Sequence, residues 1–402
     1  MKKIMILGGG VNQMPLIEAA KSCGYYVVLC DFSDYAPGVK LADSFHLVSI
    51  IDAEAVLEVA KKENIDGIAA NTEAAMKVVA YVAENMQLVG NSVSAIETLA
   101  SKKMFRKMQK ECGMFAPSYF EVSTLAELNE KIGGMKFPVI IKPSESSGTR
   151  GTTKIASADE TEKIEQAYEL CRSFSRNDLV TVEEYIKMPS LTVIEGDIFV
   201  NGGEILWDGL FLTKRSAAAP MIPMTYMFPI RLEEDRYERV KRDLAAAVKN
   251  SGIKHGQYNA EAYFTEEGEL FIIEINARQG GNQIPRAIKH QSGIDMDKLL
   301  VSTAVGDNGY WEKLKSFKRL DRIMAWHTVF SRVSGSFSGF EIDKSIADKT
   351  IYIQEFAPRG KKIENTTNGS DCLGVVAIEF SNFAEQNDIC EKIEELIVPI
   401  VE

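Results

Sequence analysis

The chain has 402 residues, 45% apolar and 26% charged, which is the composition of an ordinary folded protein large enough for two or three domains. Its formal net charge of −11 argues against a general binder of nucleic acid or of anionic membranes, because both require a basic surface. The six cysteines are scattered, no apolar run approaches the ~18 residues of a membrane span, and the start lacks the apolar core of a signal peptide. We therefore expect a cytoplasmic protein without a disulfide frame or a zinc site.

The first hundred residues alternate between short apolar strands and amphipathic helices. This alternation predicts an α/β domain with a doubly wound parallel sheet. The predicted strands are 4–7, 25–30, 65–70 and 88–89, and the predicted helices are 15–23, 52–63 and 74–84.

The following segments predict an α+β region and then a region dominated by strands. Up to residue 190 we expect helices 95–99, 102–112, 124–132 and 161–173 and strands 119–122, 139–142 and 179–185. Beyond it we expect strands 191–199, 205–213, 258–264, 270–276, 323–329, 350–355 and 373–380 and helices 236–251, 295–305 and 387–397.

Two glutamates are predicted to face each other in a β-hairpin. Glu261 and Glu274 lie in apolar runs on either side of the turn-rich segment 265–269, and a two-residue loop at Glu267-Gly268 would place them directly opposite, with Cβ atoms ~5 Å apart. Like charges in this position need a cation between them, and alternation puts Asn276 and Arg278 on the same face. This set suits a divalent cation that bridges a polyphosphate.

Three other segments carry nucleotide signals. Lys142 ends a strand just before the Ser- and Gly-rich loop 144–151, whose small residues let backbone amides approach phosphate oxygens. The strand 179–185 stops at the acidic pair Glu183-Glu184, and Lys102 starts a helix, where the dipole disfavours a cation unless an anion is near. An exposed loop, a polar strand end and a solvated surface lysine are the plainer interpretations.

The turn Gly8-Gly9-Gly10 partly matches the fingerprint of dinucleotide-binding folds. A helix follows it, and Asp31 ends the next strand, but Gln13 stands where the third glycine is expected. A tight turn that binds no cofactor is the alternative.

The order of these features resembles the ATP-grasp superfamily over residues 1 to about 300, and the hairpin and the segment 137–143 carry the resemblance. Within it the chain resembles carboxylate–amine ligases related to phosphoribosylglycinamide synthetase, biotin carboxylase and L-amino-acid ligases. The resemblance implies a Rossmann-like N-terminal domain over 1–100, an ATP-grasp small subdomain over 101–190, and a large subdomain with a C-terminal lobe over 191–402.

The resemblance also implies roles for individual residues. Lys102 and Lys142 would bind the phosphates of ATP, and Arg278 would be catalytic. The further residues implied for ATP are Ser147, Gly148, Thr149 and Gly151 in the covering loop, Glu183, Glu184 and Ile186 at the adenine edge, and Tyr263 and Ile273 on the faces of the ring. Glu261, Glu274 and Asn276 would hold the metal, and the substrate candidates are Glu73, Glu195, Lys214, Arg215 and Arg332.

The implied reaction is ATP-dependent ligation of a small carboxylate to a small amine through an acyl phosphate. ATP and Mg²⁺, or Mn²⁺, are the expected cofactors, and a homodimer without nucleic-acid or membrane partners is the expected assembly. A purine-pathway or biotin-carboxylase-like enzyme with the same ATP site is one alternative, and an oxidoreductase built on the glycine turn is another.

Overall fold

The computed structural model describes residues 1–144, 151–216, 222–366 and 369–402. These residues form a parallel four-stranded sheet, an antiparallel four-stranded sheet, an antiparallel eight-stranded sheet and a smaller C-terminal sheet. The sequence-based prediction of a mixed α/β and α+β fold with an N-terminal parallel sheet is confirmed. No helix among the described residues is long and apolar enough to cross a membrane.

The N-terminal sheet has the strand order β3-β2-β1-β4. Its strands are β1 Lys3–Leu7, β2 Tyr26–Asp31, β3 Ser44–Leu47 and β4 Gly67–Ala69, and its helices are α1 Met14–Ser22, α2 Ala53–Glu63 and α3 Met76–Met86. The strand predicted at 88–89 is absent because the Leu88 amide donates to the Ala83 carbonyl at 2.9 Å, which completes the end of α3.

The small antiparallel sheet has the order β5-β8-β6-β7. Its strands are β5 Tyr119–Val122, β6 Val139–Pro143, β7 Thr153–Ile155 and β8 Val180–Glu184. The helices of this region are α4 Val93–Ala100, α5 Lys102–Glu111, α6 Leu125–Ile132 and α7 Thr161–Phe174.

The large sheet has the order β13-β12-β9-β10-β11-β14-β18-β16. Its strands are β9 Thr192–Asn201, β10 Glu204–Arg215, β11 Pro223–Phe228, β12 His255–Phe264, β13 Leu270–Asn276, β14 Met324–Val329, β16 Thr350–Glu355 and β18 Gly374–Glu379. The helices that accompany it are α8 Glu234–Ser251, α9 Ile284–Ser292, α10 Met296–Ala304 and α11 Gly309–Leu314.

The C-terminal end differs from its prediction. The remaining strands are β15 Gly335–Ile342, β17 Lys362–Ile363 and β19 Ile397–Val401, and the last helices are α12 Phe383–Glu391 and α13 Ile393–Leu396. The helix predicted at 387–397 begins earlier because Asn382 caps it, accepting a hydrogen bond from the Glu385 amide at 3.0 Å. Its predicted last residue, Ile397, instead starts a strand that pairs with β15.

Helix α10 joins the N-terminal domain to the large sheet. Val301 and Ala304 pack into the same buried cluster as Ile4 and Ile6 of β1. Tyr25 donates a hydrogen bond to Asp307, just beyond α10, at 2.7 Å. The carboxyl ends of the N-terminal strands thereby lie across a cavity from the loop after β13.

Candidate active site

A row of three carboxylates crosses the large sheet. Glu261 on β12 pairs directly with Glu274 on β13 and, on its other side, with Glu195 on β9. The predicted pairing of Glu261 with Glu274 is therefore confirmed, whereas the predicted two-residue loop is wrong. The loop has three residues, because Thr265 and Glu269 form the last pair, with 2.8 Å between the Thr265 nitrogen and the Glu269 oxygen.

A β-bulge restores the register that the longer loop would have shifted. Glu261 pairs with Glu274 and Ala262 with Ile272, so Ile273 is the extra residue. Ile273 packs with Tyr263 and Phe271, and it lines the same cavity as Glu274. The bulge thus places an apolar side chain and a carboxylate next to each other on one wall.

The two facing carboxylates lie in different electrostatic environments. Burial and the Glu274 charge raise the pKa of Glu261, although Arg215 donates to its carboxylate at 3.0 Å. Burial also acts to raise the pKa of Glu274, but Lys102 and the amide of Asn276, which donates at 2.9 Å, outweigh it and lower that pKa. Glu274 is therefore the member of the pair that stays ionised most readily.

Glu195 is buried, with 4% of its surface exposed, and accepts a hydrogen bond from Thr213 at 2.8 Å. Burial and the neighbouring Glu261 raise its pKa to about 8. Arg215 lies beside both carboxylates and is the cation of this end of the row.

The residues of this wall fit a hard divalent cation. Glu261, Glu274 and Asn276 offer only oxygen ligands, and like charges face each other without full compensation. Among the described residues, no group of three or more His, Cys, Asp or Glu side chains is arranged to hold a metal ion. Two carboxylates suit Mg²⁺, which usually takes its other ligands from water and substrate phosphates.

Helix α5 supplies two cations one turn apart. Lys102 begins the helix after the cap Ser101, whose hydroxyl accepts from the Met104 amide at 3.3 Å, and lines the cavity with Glu274 and Asn276. Arg106, which the sequence analysis missed, is 1% exposed and donates to the Ile273 carbonyl at 2.8 Å, next to the bulge. The sequence feature that could have identified Arg106 is its charge on the face of the helix that carries the apolar residues.

Glu183 does not have the predicted role of binding an adenine edge in this structure. Its carboxylate is 4% exposed and bound on one side to Arg106 and on the other to Lys142. Burial would raise its pKa, but these two cations lower it to about 2. Burial lowers the pKa of Lys142 to about 8, with the nearby charges of Arg106 and Lys102 acting in the same direction. Glu183 therefore fixes and partly neutralises the lysine.

An apolar pocket adjoins this ion-pair network. Tyr263 and Ile273 pack with Ile186, and the Tyr263 hydroxyl donates to the Ile186 carbonyl at 2.7 Å. The Glu184 amide donates to Ser118 at 2.9 Å. The Glu184 amide and the Ile186 carbonyl are therefore already hydrogen-bonded within the protein.

Most of the predicted covering loop lies outside the described residues, namely Ser147, Gly148 and Thr149. Gly151 is described, with φ of 74°, and a Cβ there would lie 3.0 Å from Pro143 and 3.2 Å from Phe174. Glycine is therefore required where the chain returns to β7.

Two cavities meet at Glu73. The first, of about 330 Å³, contains Lys102, Arg106, Glu274 and Asn276. The second, of about 240 Å³, contains Arg278 and lies between the N-terminal strand ends and the loop after β13. We call the second one the amide cleft, because Asn12, Gln13, Asn71, Gln279, Asn282 and Gln283 line it.

Asp197 fixes the loop that carries Arg278. This carboxylate accepts from Gln257 at 2.9 Å, from Asn259 at 3.0 Å and from the Gly280 amide at 2.8 Å. Arg278 itself donates to the Gln279 carbonyl at 2.8 Å. The arginine therefore sits on a fixed segment and lines the second cavity.

Four of the five substrate candidates, Glu195, Lys214, Arg215 and Arg332, do not line either cavity. Lys214 donates to the Cys390 carbonyl at 3.0 Å and pairs with Glu391 at the end of α12, which stabilises a helix C-terminus. Arg332 binds Ser216 at 2.7 Å and Glu394 at 3.1 Å. Lys214 and Arg332 therefore form their contacts within the C-terminal lobe.

The glycine turn is stabilised from within the protein. Asp31 is 5% exposed and accepts from the Gly9 amide at 2.7 Å and from the Ser33 amide at 2.9 Å. In a dinucleotide-binding fold this carboxylate would contact a ribose. Because Asp31 is occupied by the turn, the structure argues against the oxidoreductase alternative.

Comparison with known proteins agrees with this geometry. Residues 135–286 match the model of the ATP-grasp domain, and residues 4–94 match that of the PylC-like N-terminal domain. The chain is 29% identical over 286 residues to a formate-dependent phosphoribosylglycinamide formyltransferase of Bacteroides thetaiotaomicron, an alignment that covers 69% of this chain and 71% of the relative.

Solved structures share the fold over the whole chain. An L-amino acid ligase from Bacillus licheniformis superposes with a TM-score of 0.80 at 19% identity, covering 100% of this chain and 99% of the other. Phosphoribosylglycinamide synthetase from Anaerococcus prevotii gives 0.76 at 21% identity, with 100% of both chains covered. The chain therefore carries an ATP-grasp domain and is an enzyme of the carboxylate–amine ligase type.

Proposed function

We propose that the protein joins a small carboxylate to a small amine by way of an acyl phosphate, releasing ADP and phosphate. The observation that carries this proposal is the first cavity, where Lys102 and the ionised Glu274 share a wall beside Asn276 and the buried Arg106. A polyphosphate fits between these cations and carboxylates when a divalent ion bridges them.

Each group of side chains has its own role in the proposed reaction. Lys102, at the N-terminus of α5, and Lys142, held by Glu183, bind the phosphates and neutralise charge during transfer. Tyr263 and Ile273 contact the base. Arg278 lines the amide cleft and stabilises the oxyanion as the amine attacks the acyl carbon.

Glu261, Glu274 and Asn276 would hold the metal. When bound, Mg²⁺ would neutralise phosphate charge during transfer, and we expect Mn²⁺ to replace it. Arg215 would keep Glu261 paired when no metal is present, because it already contacts that carboxylate at 3.0 Å.

A purine-type reaction is the second candidate. The 29% identity to a formate-dependent phosphoribosylglycinamide formyltransferase favours formate as the carboxylate and phosphoribosylglycinamide as the amine. The amide cleft, with Arg278 and Arg286 on its walls, is where an anionic amine would bind in either case.

The test is ADP release from ATP–Mg²⁺ against a matrix of carboxylates and amines that includes formate with phosphoribosylglycinamide, bicarbonate, and pairs of amino acids. We expect at least one pair to raise release well above background and Glu274→Gln to remove that increase. Thermal shifts with ATP–Mg²⁺ and with NAD provide the matched comparison, since a ligand stabilises only a fold that binds it. Stabilisation by NAD alone, or a background that no pair raises, would contradict the proposal.

We also propose that the protein acts in the cytoplasm as a homodimer. A biotin carboxylase domain with the same fold is described as a dimer, at 16% identity and a TM-score of 0.75. Light scattering of the purified protein would test the oligomeric state.

A further inference from the structure

Asp197 is a buried carboxylate that has no direct part in the proposed reaction. It lies on β9, is 0% exposed, and lines neither the first cavity nor the amide cleft. Burial raises the pKa of Asp197 to about 6, although hydrogen bonds from Asn259, Gly280 and Gln257 and the charge of Arg278 act in the opposite direction. Because a charged group is costly to bury, these contacts indicate what the carboxylate holds in place.

The two oxygens of Asp197 bind different parts of the protein. Oδ1 accepts from the Gly280 amide at 2.8 Å and from Nδ2 of Asn259 at 3.0 Å. Oδ2 accepts from Nε2 of Gln257, on the neighbouring strand β12, at 2.9 Å. Oδ1 therefore holds the loop after β13, whereas the bond of Oδ2 stays within the sheet.

Asn259 holds the same loop at a second point. Its backbone amide donates to the Arg278 carbonyl at 2.9 Å, while its side chain donates to Asp197. The loop is thus fixed at residue 278 and again at Gly280. We call the three hydrogen bonds, from the Asn259 amide to Arg278, from Asn259 Nδ2 to Asp197 and from the Gly280 amide to Asp197, the loop clamp.

The loop lies too close to this clamp for a side chain to fit. A Cβ at Gly280 would lie 2.9 Å from Nδ2 of Asn259 and 2.5 Å from Cδ1 of Ile284. Residue 280 must therefore be glycine for its amide to reach the carboxylate. The close packing and the hydrogen bonds together set the direction of the backbone that carries Arg278.

We infer that Asp197 and Asn259 are positioning residues for the ligation step, because they fix the backbone from which Arg278 enters the amide cleft. Neither side chain lines the first cavity or the cleft, so both act through Arg278 and not on a substrate. This inference rests on the proposed function, in which Arg278 stabilises the oxyanion during attack by the amine. A displacement of such a group by about 1 Å can cost roughly a hundredfold in rate.

Two substitutions of Asp197 separate the clamp from the charge. In Asp197→Asn, Oδ1 can still accept from Gly280 and Asn259. Gln257 can turn its amide over, because its Oε1 has no hydrogen-bond partner among the described residues and can accept from the new amide group. Asp197→Asn therefore keeps the clamp and removes the charge, whereas Asp197→Ala removes both. Gln257→Ala is the matched control, since it removes only the bond to Oδ2.

The assay uses the full chain with ATP–Mg²⁺ and two sets of probes, formate with phosphoribosylglycinamide and pairs of amino acids. The most active pair gives kcat for the amide product, and the KM for ATP is measured in the same series. Hydroxylamine traps acyl phosphates as hydroxamates without help from the protein, so hydroxamate formation reports the first half of the reaction alone.

We expect Asp197→Ala to lower kcat for the amide product roughly ten- to a hundredfold, because Arg278 is no longer held in place. The KM for ATP and hydroxamate formation should stay close to wild type, since no bond of the loop clamp goes to a residue proposed for ATP. Asp197→Asn and Gln257→Ala should keep kcat close to wild type. If Asp197→Ala does not fold, Asn259→Ala takes its place, because it leaves the carboxylate bound by Gly280 and Gln257.

The readout that a purely structural role would not move is the dependence on Arg278. In Arg278→Gln protein, Asp197→Ala should lower kcat no further, because a positioning residue has no effect once the group that it positions is gone. Hydrogen–deuterium exchange without substrate should be faster over residues 277–284 in Asp197→Ala and unchanged there in Asp197→Asn.

An equal loss of kcat in both backgrounds, wild-type kcat in Asp197→Ala, or unchanged exchange over 277–284 would overturn the inference while leaving the proposed function in place. So would a loss in Gln257→Ala as large as that in Asp197→Ala. If wild type forms neither ADP nor hydroxamate with any carboxylate, the proposed function fails and the inference fails with it.

Discussion

The two facing glutamates show how environment separates identical side chains. Lys102 and Asn276 lower the pKa of Glu274, whereas burial and the neighbouring charge raise that of Glu261. A pair of carboxylates that differ in this way can hold a cation without both being fully ionised beforehand.

Replacing Glu274 should therefore abolish turnover without harming the fold. We expect Glu274→Gln to lower kcat for ADP release at least a hundredfold, because the metal loses its most readily ionised ligand. The unliganded protein should melt at the same temperature or higher, since one of two facing charges is gone. Glu269→Gln, in the exposed turn of the same hairpin, is the control and should keep full activity. Substantial activity in Glu274→Gln would remove this residue from the metal site.

Individual residues were predictable where alternation alone decided their position. Glu261, Glu274 and Asn276 follow from the period of two in a strand. Glu183 was predicted on the right strand but with the wrong partner, because Arg106 reaches it from a helix 77 positions earlier in the chain. No local pattern encodes a contact between elements that distant. Lys214 was misplaced because adjacent strand residues point to opposite faces, and Arg215 takes the face of Glu261.

At the scale of elements, one buried guanidinium docks a helix onto two sheets. Arg106 on α5 binds Glu183 of β8, and its Nη1 and Nη2 donate to the Ile272 and Ile273 carbonyls of β13 at 3.2 and 2.8 Å. It also lies over the ring of Phe271, 4.9 Å from the centroid. The bulge that exposes Ile273 is thus held by the same residue that orders Glu183 and, through it, Lys142.

Removing this guanidinium should destabilise the protein strongly. We expect Arg106→Met to cost about 3–5 kcal/mol of unfolding free energy, because it leaves buried carbonyls and one side of the Glu183 carboxylate without partners. Chemical denaturation would measure the loss. Adding Glu183→Gln should recover part of it, whereas Lys107→Met, at an exposed position beside Arg106, should change stability by less than about 0.5 kcal/mol. Additive effects of Arg106→Met and Glu183→Gln would contradict the coupling.

The helices and long strands followed from periodicity, while the short or edge elements did not. The sequence favours α5 and the β12–β13 hairpin through clear apolar patterns. Strand β3 was missed because its four residues carry a polar Ser and His, and their strand geometry comes from pairing with β2. Counting residues along the hairpin cannot distinguish a two-residue loop from a three-residue loop with a compensating bulge. Both arrangements give the same pairing of Glu261 with Glu274.

At the scale of the whole molecule, buried carboxyls make stability depend on pH. Glu195 has a folded pKa of about 8 and Asp297 one of about 7, both above their unfolded values. The folded state then binds more protons than the unfolded state near neutrality, so stability falls as pH rises. His327 acts oppositely, but its folded pKa of about 3 lies below the unfolded value of 6.5, so its gain in stability is nearly complete once the pH exceeds that unfolded value. Lys142, whose folded pKa of about 8 lies below its unfolded value, adds a smaller gain in stability as the pH approaches 8.

We therefore expect the unliganded protein to lose on the order of 1–2 kcal/mol of unfolding free energy between pH 6.5 and pH 8. Urea denaturation at several pH values would show it. Glu195→Gln should flatten this slope, because the glutamine does not titrate, and Asp297→Asn should flatten it to a smaller degree. A slope of the opposite sign would mean that these carboxyls are ionised in the folded protein.

The N-terminal domain positions α10, which lines the amide cleft through Asp297. Gly67 of β4 touches the backbone of α10, and a Cβ there would lie 2.2 Å from the Ala304 carbonyl oxygen. Since backbone cannot yield as a flexible side chain does, Gly67→Ala should push α10 away and cost about 1–3 kcal/mol. It should also raise the KM for the amine while leaving that for ATP almost unchanged, because Asp297 of α10 lines the amide cleft, where the amine would bind, and the ATP residues lie on other elements. Gly133→Ala, where φ is −62° and nothing lies within 4 Å, is the matched control for stability and both KM values. Lost stability with an unchanged amine KM would show that α10 packs the domains together without shaping the cleft.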